Sequence, residues 1–258
     1  MTWIDLEGAV NVRDLGGLPT VDGGSTVPGR LLRSENLQEL SSADIDRLVK
    51  DIGVTTVVDL RTTGELEVEG PAPLDAVPGV RHVHHPVLPE LGSATQAVSE
   101  ALLVTKIEND RARYPDDITT GHYLGYLEER PEEVTGALRD IATAEGAAIV
   151  HCAAGKDRTG VIVAMALTAA GVEPDAIVAD YVASADRIEA IIERLSRSKT
   201  YADDVTNRPV KAHLPRAGTM QAFLEQLDVR YGGLPQWLAA NGFDDAEFSM
   251  LRDKLRQP

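Results

Sequence analysis

Apolar positions in this chain fall into a few short unbroken runs and several longer interrupted ones, and the two kinds predict different elements. VTTVVDL at 54–60 is β-branched and mostly apolar without polar alternation, the pattern of a strand buried on both faces. AAIV at 147–150 is a second run of this kind, and RHVHHPVL at 81–88 reads as a shorter strand after the proline-broken PAPLDAVPG. VIVAMALTAAG at 161–171 is apolar all round, which predicts a buried central helix stopped by Gly171. SSADIDRLVKDIG opens on serine at an N-cap position and closes on Gly53, the punctuation of a short helix. Residues 1–40 mix Gly and Pro with short apolar pieces, predicting loops and a small hairpin near Asp22-Gly23. From about 93 to 145 the pattern turns helical, with breaks at Pro115 and Pro131. Several helices follow over 173–256, beginning with the long, charge-laced PDAIVADYVASADRIEAIIERL, then a polar stretch to about 213 and three shorter pieces.

Strand, tight loop and buried helix in succession imply an α/β fold, in which sites form at the carboxyl ends of strands. No repeat, linker or low-complexity tract divides the chain, so one domain over 1–258 is expected. Apolar residues make up 43% of the chain but aromatics only 4%, so the core must be built from aliphatics. The net charge of −16 repels nucleic acid and anionic membrane, which excludes both as expected partners. A single cysteine excludes an internal disulfide framework and a cysteine-rich zinc site. MTWIDLEGAV lacks a basic segment followed by a long apolar run, and no window reaches the length of a membrane span. A soluble, cytoplasmic protein is expected; export without a signal peptide would leave no mark in the sequence.

The lone cysteine stands in HCAAGKDRTG, residues 151–160. With Cys152 at the end of the strand and Arg158 in the first turn of the helix, the intervening amides can curl around one tetrahedral anion. Helix N-termini attract anions through free N–H groups and the helix dipole, and the same field favours a thiolate. Arg158 offers a planar fork that matches two phosphoryl oxygens. Thr159 can hydrogen-bond the sulfur and make it a better leaving group. Ala153, Ala154 and Gly155 are small enough to let backbone approach a ligand, and Lys156 adds a second cation at the mouth. These residues, with Asp157 and Arg158, form the expected substrate-binding loop. The parts suit phosphoryl transfer through a covalent intermediate, with no cofactor and no metal. A nucleotide-binding loop is a poor fit, because Gly155-Lys156 is followed by Asp157 where Ser or Thr is needed, and Val150 stands in place of the first glycine.

Cys152, five residues, Arg158, Thr159 and Gly160, with His151 in front, resemble the H-C-x5-R-[ST]-G motif of cysteine-based protein tyrosine phosphatases. NVRDLGG at 11–17, GRLLRSENL at 29–37, VVDLR at 57–61, KDR in the loop and VADYVAS at 178–184 extend the likeness to PtpB-type bacterial phosphatases. The resemblance implies a central, mostly parallel sheet flanked by helices, with a C-terminal helical lid placed by chain order within 174–230. It also implies activity on phosphotyrosine, with phosphoserine, phosphothreonine and phosphoinositides as further substrates and inorganic phosphate as product. In that family a lysine at the place of Lys156 accompanies phosphoinositide activity.

Three aspartates compete as general acid. Asp157 lies beside Arg158, as in lipid phosphatases with an x-D-R loop, and is favoured; Asp59 ends a strand and ranks second; Asp116 in YPDD is read as solvated surface. His151 is expected to hydrogen-bond the loop rather than act as a base. His82, His84 and His85 raise a zinc site, but no Cys or Glu at usual spacing completes it. Arg13-Asp14 and Arg33-Ser34 are expected to supply a buried ion pair tying the N-terminal segment to the loop. Tyr181 and the charged residues of 185–199 are read as a solvated helix face. The rivals are an inert phosphate- or phosphopeptide-binding module, a sulfur transferase, and an arsenate reductase, the last disfavoured because no resolving thiol is present.

Overall fold

Six short strands build one mixed sheet in the computed structural model, which describes residues 1–89, 114 and 117–256. They are β1 (Thr2–Trp3), β2 (Arg13–Asp14), β3 (Leu31–Ser34), β4 (Val54–Asp59), β5 (Arg81–His84) and β6 (Ala147–His151), in the order β1-β2-β3-β6-β4-β5. β3, β6, β4 and β5 run parallel, while β1 and β2 form an antiparallel edge. The sheet is thus the α/β architecture expected, with β6 between β3 and β4.

Strand β6 explains why its sequence lacks alternation. Successive side chains point to opposite faces, and here both faces are covered. Ala148 and Val150 join the larger core, whereas Ala147 and Ile149 join a smaller one with Leu32, Leu48, Val57 and Leu74. The helices of the larger core are α3 (Ile118–Glu129), α4 (Pro131–Thr143), α5 (Asp157–Ala169), α6 (Pro174–Ala183), α9 (Ala217–Tyr231), α10 (Leu234–Ala240) and α11 (Asp245–Leu255). α5 is buried on nearly every side, and Gly171 follows it with φ +74°.

Local signals operate as the sequence suggests at several element ends. Ser41 caps α1 (Ser42–Asp46) in a capping box with Asp44, and the chain continues through a wide π-type turn, Arg47–Ile52, to Gly53 at φ +83°. A tight turn at Thr20–Gly24 lies under the Pro19–Ser25 bridge, where a hairpin was expected. The strand at 81–88 is shorter, ending at His84.

The long helix predicted after Pro174 is broken. α6 ends at Ala183, a 3₁₀ turn spans Ser184–Arg187, and α7 covers Ile188–Leu195, with α8 (Ala202–Thr206) beyond it. The break lets α6 join the main core while Ile188, Ile191 and Leu195 of α7 pack with Ala153, Tyr201 and Val205 in a separate cluster. Tyr181 is buried at 2% exposure rather than set on a solvated face, because α6 packs against both α5 and α9. Among the described residues, no helix is long and apolar enough to cross a membrane. The helical pattern read over 93–113 lies outside the described residues.

Candidate active site

The parallel register brings four carboxyl-terminal strand residues to one level: Ser34 beside His151, His151 beside Asp59, and Asp59 beside His84. The chain leaves β6 at His151, turns through Cys152–Lys156 and enters α5 at Asp157. Gly155 makes this turn possible. Its φ is +65°, and a Cβ there would lie 2.4 Å from the Ser34 carbonyl oxygen.

The first 36 residues hold the outside of this loop. The Asn36 N–H donates to the Ala153 carbonyl (2.9 Å), Asn11 Nδ2 to that of Ala154 (2.9 Å), and an Arg33 NH2 to that of Gly155 (2.7 Å). With the carbonyls tied outward, the N–H groups of Ala153 through Lys156 have no backbone acceptor among the described residues. Consecutive N–H groups without a backbone partner at a helix N-terminus are suited to an oxyanion.

Behind the loop lies a fully buried charge cluster. Arg13 Nε donates to Asp180 Oδ1 at 2.7 Å and an Arg33 NH1 to Asp180 Oδ2 at 2.5 Å. Burial pushes the Asp180 carboxyl up, but the two guanidinium groups outweigh it and hold it below its usual range. Burial and the neighbouring Arg33 bring Arg13 down to about 10. The expected tie between N-terminal segment and loop exists, but Asp14 is not its anion: that carboxylate accepts from the Gly16 and Gly29 amides. Asp180, inside VADYVAS, takes both arginines instead.

Cys152 is 3% exposed and Arg158 9%. The Arg158 guanidinium makes two parallel bonds to Glu65, NH1 to Oε2 at 2.6 Å and NH2 to Oε1 at 2.8 Å. This leaves three of its five N–H donors for an incoming anion, one of them sharing a long contact to the Leu60 carbonyl. Burial disfavours the Arg158 charge, but the nearby Cys152 and Glu65 more than compensate, and its pKa is raised. Burial pushes Glu65 up, yet its hydrogen bonds and charge pairing with Arg158 bring it down to about 2. Glu65 escaped the sequence reading. Its signal is the capping box T-x-x-E at 62–65: Thr62 caps α2 (Thr63–Glu69), and Glu65 Oε2 also accepts from the Thr62 N–H.

The three candidate acids are placed very differently. Asp157 opens onto a cavity of about 520 Å³ with Lys156, Arg158, Arg208 and Lys211; its Oδ1 accepts from the Tyr123 hydroxyl at 2.5 Å, and its Oδ2 is 3.4 Å from Lys156 Nζ. Asp59 faces a different cavity, shared with Arg61, His82 and His84. Its carboxylate is taken by Arg61, at 2.5 Å from NH2 and 3.0 Å from Nε. Burial pushes Asp59 up, but His151 and Arg61 bring it down to about 2. Asp116 lies outside the described residues.

Lys156 Nζ donates to the His213 carbonyl at 2.6 Å, tying the loop to the segment before α9. Thr159 Oγ1 is buried and has no hydrogen-bond partner among the described residues, so it does not bond the sulfur in this state. His151 Nδ1 lies 3.3 Å from the Cys152 carbonyl, and burial lowers its pKa, which suits a hydrogen-bonding role. His82 and His84 are turned to the Leu74 and Arg61 carbonyls, while His85 sits between Glu133 and Asp140. Among the described residues, no group of three His, Cys, Asp or Glu is placed to hold a metal.

A nucleophile-bearing loop at the carboxyl end of a central parallel strand, closed by an arginine on the next helix, defines a phosphatase of the α/β class. The chain belongs to the tyrosine phosphatase family, whose family model matches residues 4–257. It is 30% identical to the triple specificity protein phosphatase PtpB of Mycobacterium tuberculosis, over 97% of this chain and 98% of that protein. It is also 28% identical to a tyrosine-protein phosphatase of Nostoc commune, over 88% of this chain and 74% of that one.

Proposed function

We propose that this phosphatase works in two steps without a metal, on phosphotyrosine first and on phosphoserine, phosphothreonine and phosphoinositides as further substrates. The observation that carries the reading is the loop from Cys152 to Arg158, whose amides at 153–156 have no backbone acceptor among the described residues and whose arginine fork is oriented by Glu65. The Cys152 thiolate attacks phosphorus, forming the S–P bond as the P–O bond to the leaving group breaks. Arg158 and the loop amides hold the equatorial oxygens, where charge accumulates. Asp157 delivers its proton to the departing oxygen. Water then attacks the phosphocysteine, Asp157 takes a proton back, and phosphate leaves with the thiolate restored; Thr159 supports the sulfur as it departs.

Asp157 is preferred over Asp59 on two observations. It shares a cavity with Arg158, whereas Asp59 faces a different cavity and has its carboxylate taken by Arg61. The wider substrate range rests on Lys156, on Arg208 and Lys211 across the same cavity, and on the triple specificity for which the mycobacterial relative is named. The chain acts as one phosphatase domain over 1–258, with the helices within 174–230 as its lid; the apolar cluster of α7 and Tyr201 on Ala153 supports that role.

The test is phosphate release, in EDTA, from phosphotyrosyl, phosphoseryl and phosphothreonyl peptides and from inositol lipids. Cysteine-dependent release that Cys152→Ser abolishes, with phosphate binding retained, is the expected result. Near-normal turnover by Cys152→Ser overturns the mechanism, and phosphate binding without turnover by the unaltered chain identifies an inert binding module instead.

A further inference from the structure

Asp157 does not stand alone in its cavity wall. The Tyr123 hydroxyl donates to Asp157 Oδ1 at 2.5 Å, and the Tyr181 hydroxyl lies 2.8 Å from that of Tyr123. A phenol has one proton. Tyr123 spends its own on Asp157, so the Tyr181 hydroxyl is the donor in the second bond, and the chain runs in one direction, from Tyr181 through Tyr123 to Oδ1. Both phenols are buried, at 1% and 2% exposure, and their rings meet edge to face at 6.3 Å between centroids. Phe223 holds the other side of the Tyr123 ring at 6.1 Å, also edge to face.

The catalytic loop's own sequence makes room for this pair. A Cβ at Gly160 would lie 3.0 Å from Tyr181 Cδ2 and 3.3 Å from Cε2, so the glycine that ends HCAAGKDRTG is where the Tyr181 ring rests on α5. Asp180, the residue before Tyr181, is clamped by Arg13 and Arg33, which fixes the stretch of α6 that carries the phenol.

We propose that Tyr123, backed by Tyr181, is a positioning residue for the general acid: it keeps Asp157 Oδ1 permanently in the acceptor role, so that the transferable proton is confined to Oδ2. Oδ2 is the oxygen nearest Lys156 Nζ. Burial first, then the proximity of Asp157 and Tyr181, raises the Tyr123 phenol well above its ordinary value, so it stays a donor throughout the working range. The arrangement fixes which carboxyl oxygen carries the acid proton and restricts rotation of the carboxyl group while the proton moves to the leaving group. This inference rests on Asp157 being the general acid.

The experiment compares Tyr123→Phe, Tyr181→Phe and Asp157→Asn on 4-nitrophenyl phosphate, whose leaving group needs little protonation, and on phenyl phosphate, which needs it fully. For Tyr123→Phe the expected result is a loss of about tenfold in kcat/KM on phenyl phosphate, part of the ~10²–10⁴ that general acid catalysis supplies, and little change on the nitrophenyl ester. Tyr181→Phe shifts the same ratio in the same direction by less. Vanadate inhibition and Tm stay near wild type, and in an Asp157→Asn background Tyr123→Phe adds nothing. An equal loss on both esters, or a loss that persists in full beside Asp157→Asn, overturns the proposal in favour of a packing role. An unchanged ratio in Tyr123→Phe overturns it while Asp157 stands as the acid. A silent Asp157→Asn removes the acid assignment itself and takes the proposal with it.

Discussion

Glu65 is the residue on which the site's electrostatics turn. Two parallel bonds fix the plane of the Arg158 guanidinium, and a neutral amide in the same place could accept on only one side. Glu65→Gln is therefore expected to lower kcat/KM by up to about 100-fold through misplacement of the fork, with weaker phosphate binding in isothermal titration. The same pair makes a pH prediction. Glu65 is depressed from 4.5 to about 2 in the folded chain, so its stabilisation is fully present above pH 4.5 and is lost as the pH falls toward 2. That shift corresponds to about 3 kcal/mol at neutral pH. Urea unfolding across this range should show the gap between wild type and Glu65→Gln narrowing from pH 4.5 downward and closing near pH 2. A gap that is constant with pH would mean that the carboxylate charge is not what holds Arg158.

At the scale of elements, HCAAGKDRTG carries two glycines whose roles differ, Gly155 in the loop after β6 and Gly160 in the first turn of α5. Gly155 has φ +65° and would set a Cβ against rigid backbone at Ser34, whereas Gly160 is helical and would meet side chains, the edge of the Tyr181 ring and the end of Met220. Gly155→Ala is expected to destabilise by more than about 2 kcal/mol and to abolish phosphate binding, since neither strain nor clash can relax without moving the loop. At Gly160 the better helix propensity of alanine, about 1 kcal/mol, offsets much of the crowding, so Gly160→Ala should fold near wild type. Thermal denaturation and phosphate titration of the two variants separate the cases; equal tolerance would mean that the loop is not held against β3. Much of this level was legible beforehand. The unbroken apolar runs at 54–60 and 147–150 became β4 and β6, and HCAAGKDRTG became the strand-loop-helix turn between β6 and α5. What stayed hidden depends on long-range geometry. Glu65 reaches Arg158 across 93 positions, and Asp180 meets Arg13 across 167, separations at which no local pattern reports a contact. Tyr181 was misread because it was grouped with the charged stretch that follows at 185–199, while its neighbours in space are Tyr123 and the face of Gly160.

For the molecule as a whole, the question is how an ester reaches a thiol that is 3% exposed. Ile188, Ile191 and Leu195 of α7, with Tyr201, close over Ala153 and form a core cluster separate from the other two. Polar contacts fasten the same segment: Ser198 Oγ donates to Glu69 Oε1 at 2.6 Å, the Thr200 amide donates to that oxygen at 3.2 Å, and Lys156 reaches the His213 carbonyl from the loop side. The cover is therefore made of a few apolar side chains, exchangeable hydrogen bonds and the ion pairs of Arg194 with Glu35 and Glu39, a small set of contacts beside the two larger cores and the composition of an element that opens below the global unfolding free energy. Truncating one anchor removes a share of its docking energy without touching the two larger cores. Ile191→Ala should cost about 2–4 kcal/mol of local docking, enough to raise the open population by tenfold or more. Because Cys152 is the only thiol in the chain, iodoacetamide reads this opening directly. Its alkylation rate in Ile191→Ala should rise at least tenfold, with a smaller rise in Glu69→Ala, which releases only the polar fastening. Saturating phosphate should slow alkylation in each case by occupying the loop. An unchanged rate in both variants, with Tm preserved, would place the route to the sulfur through the cavity beside Lys156 and Asp157 and leave α7 as fixed architecture.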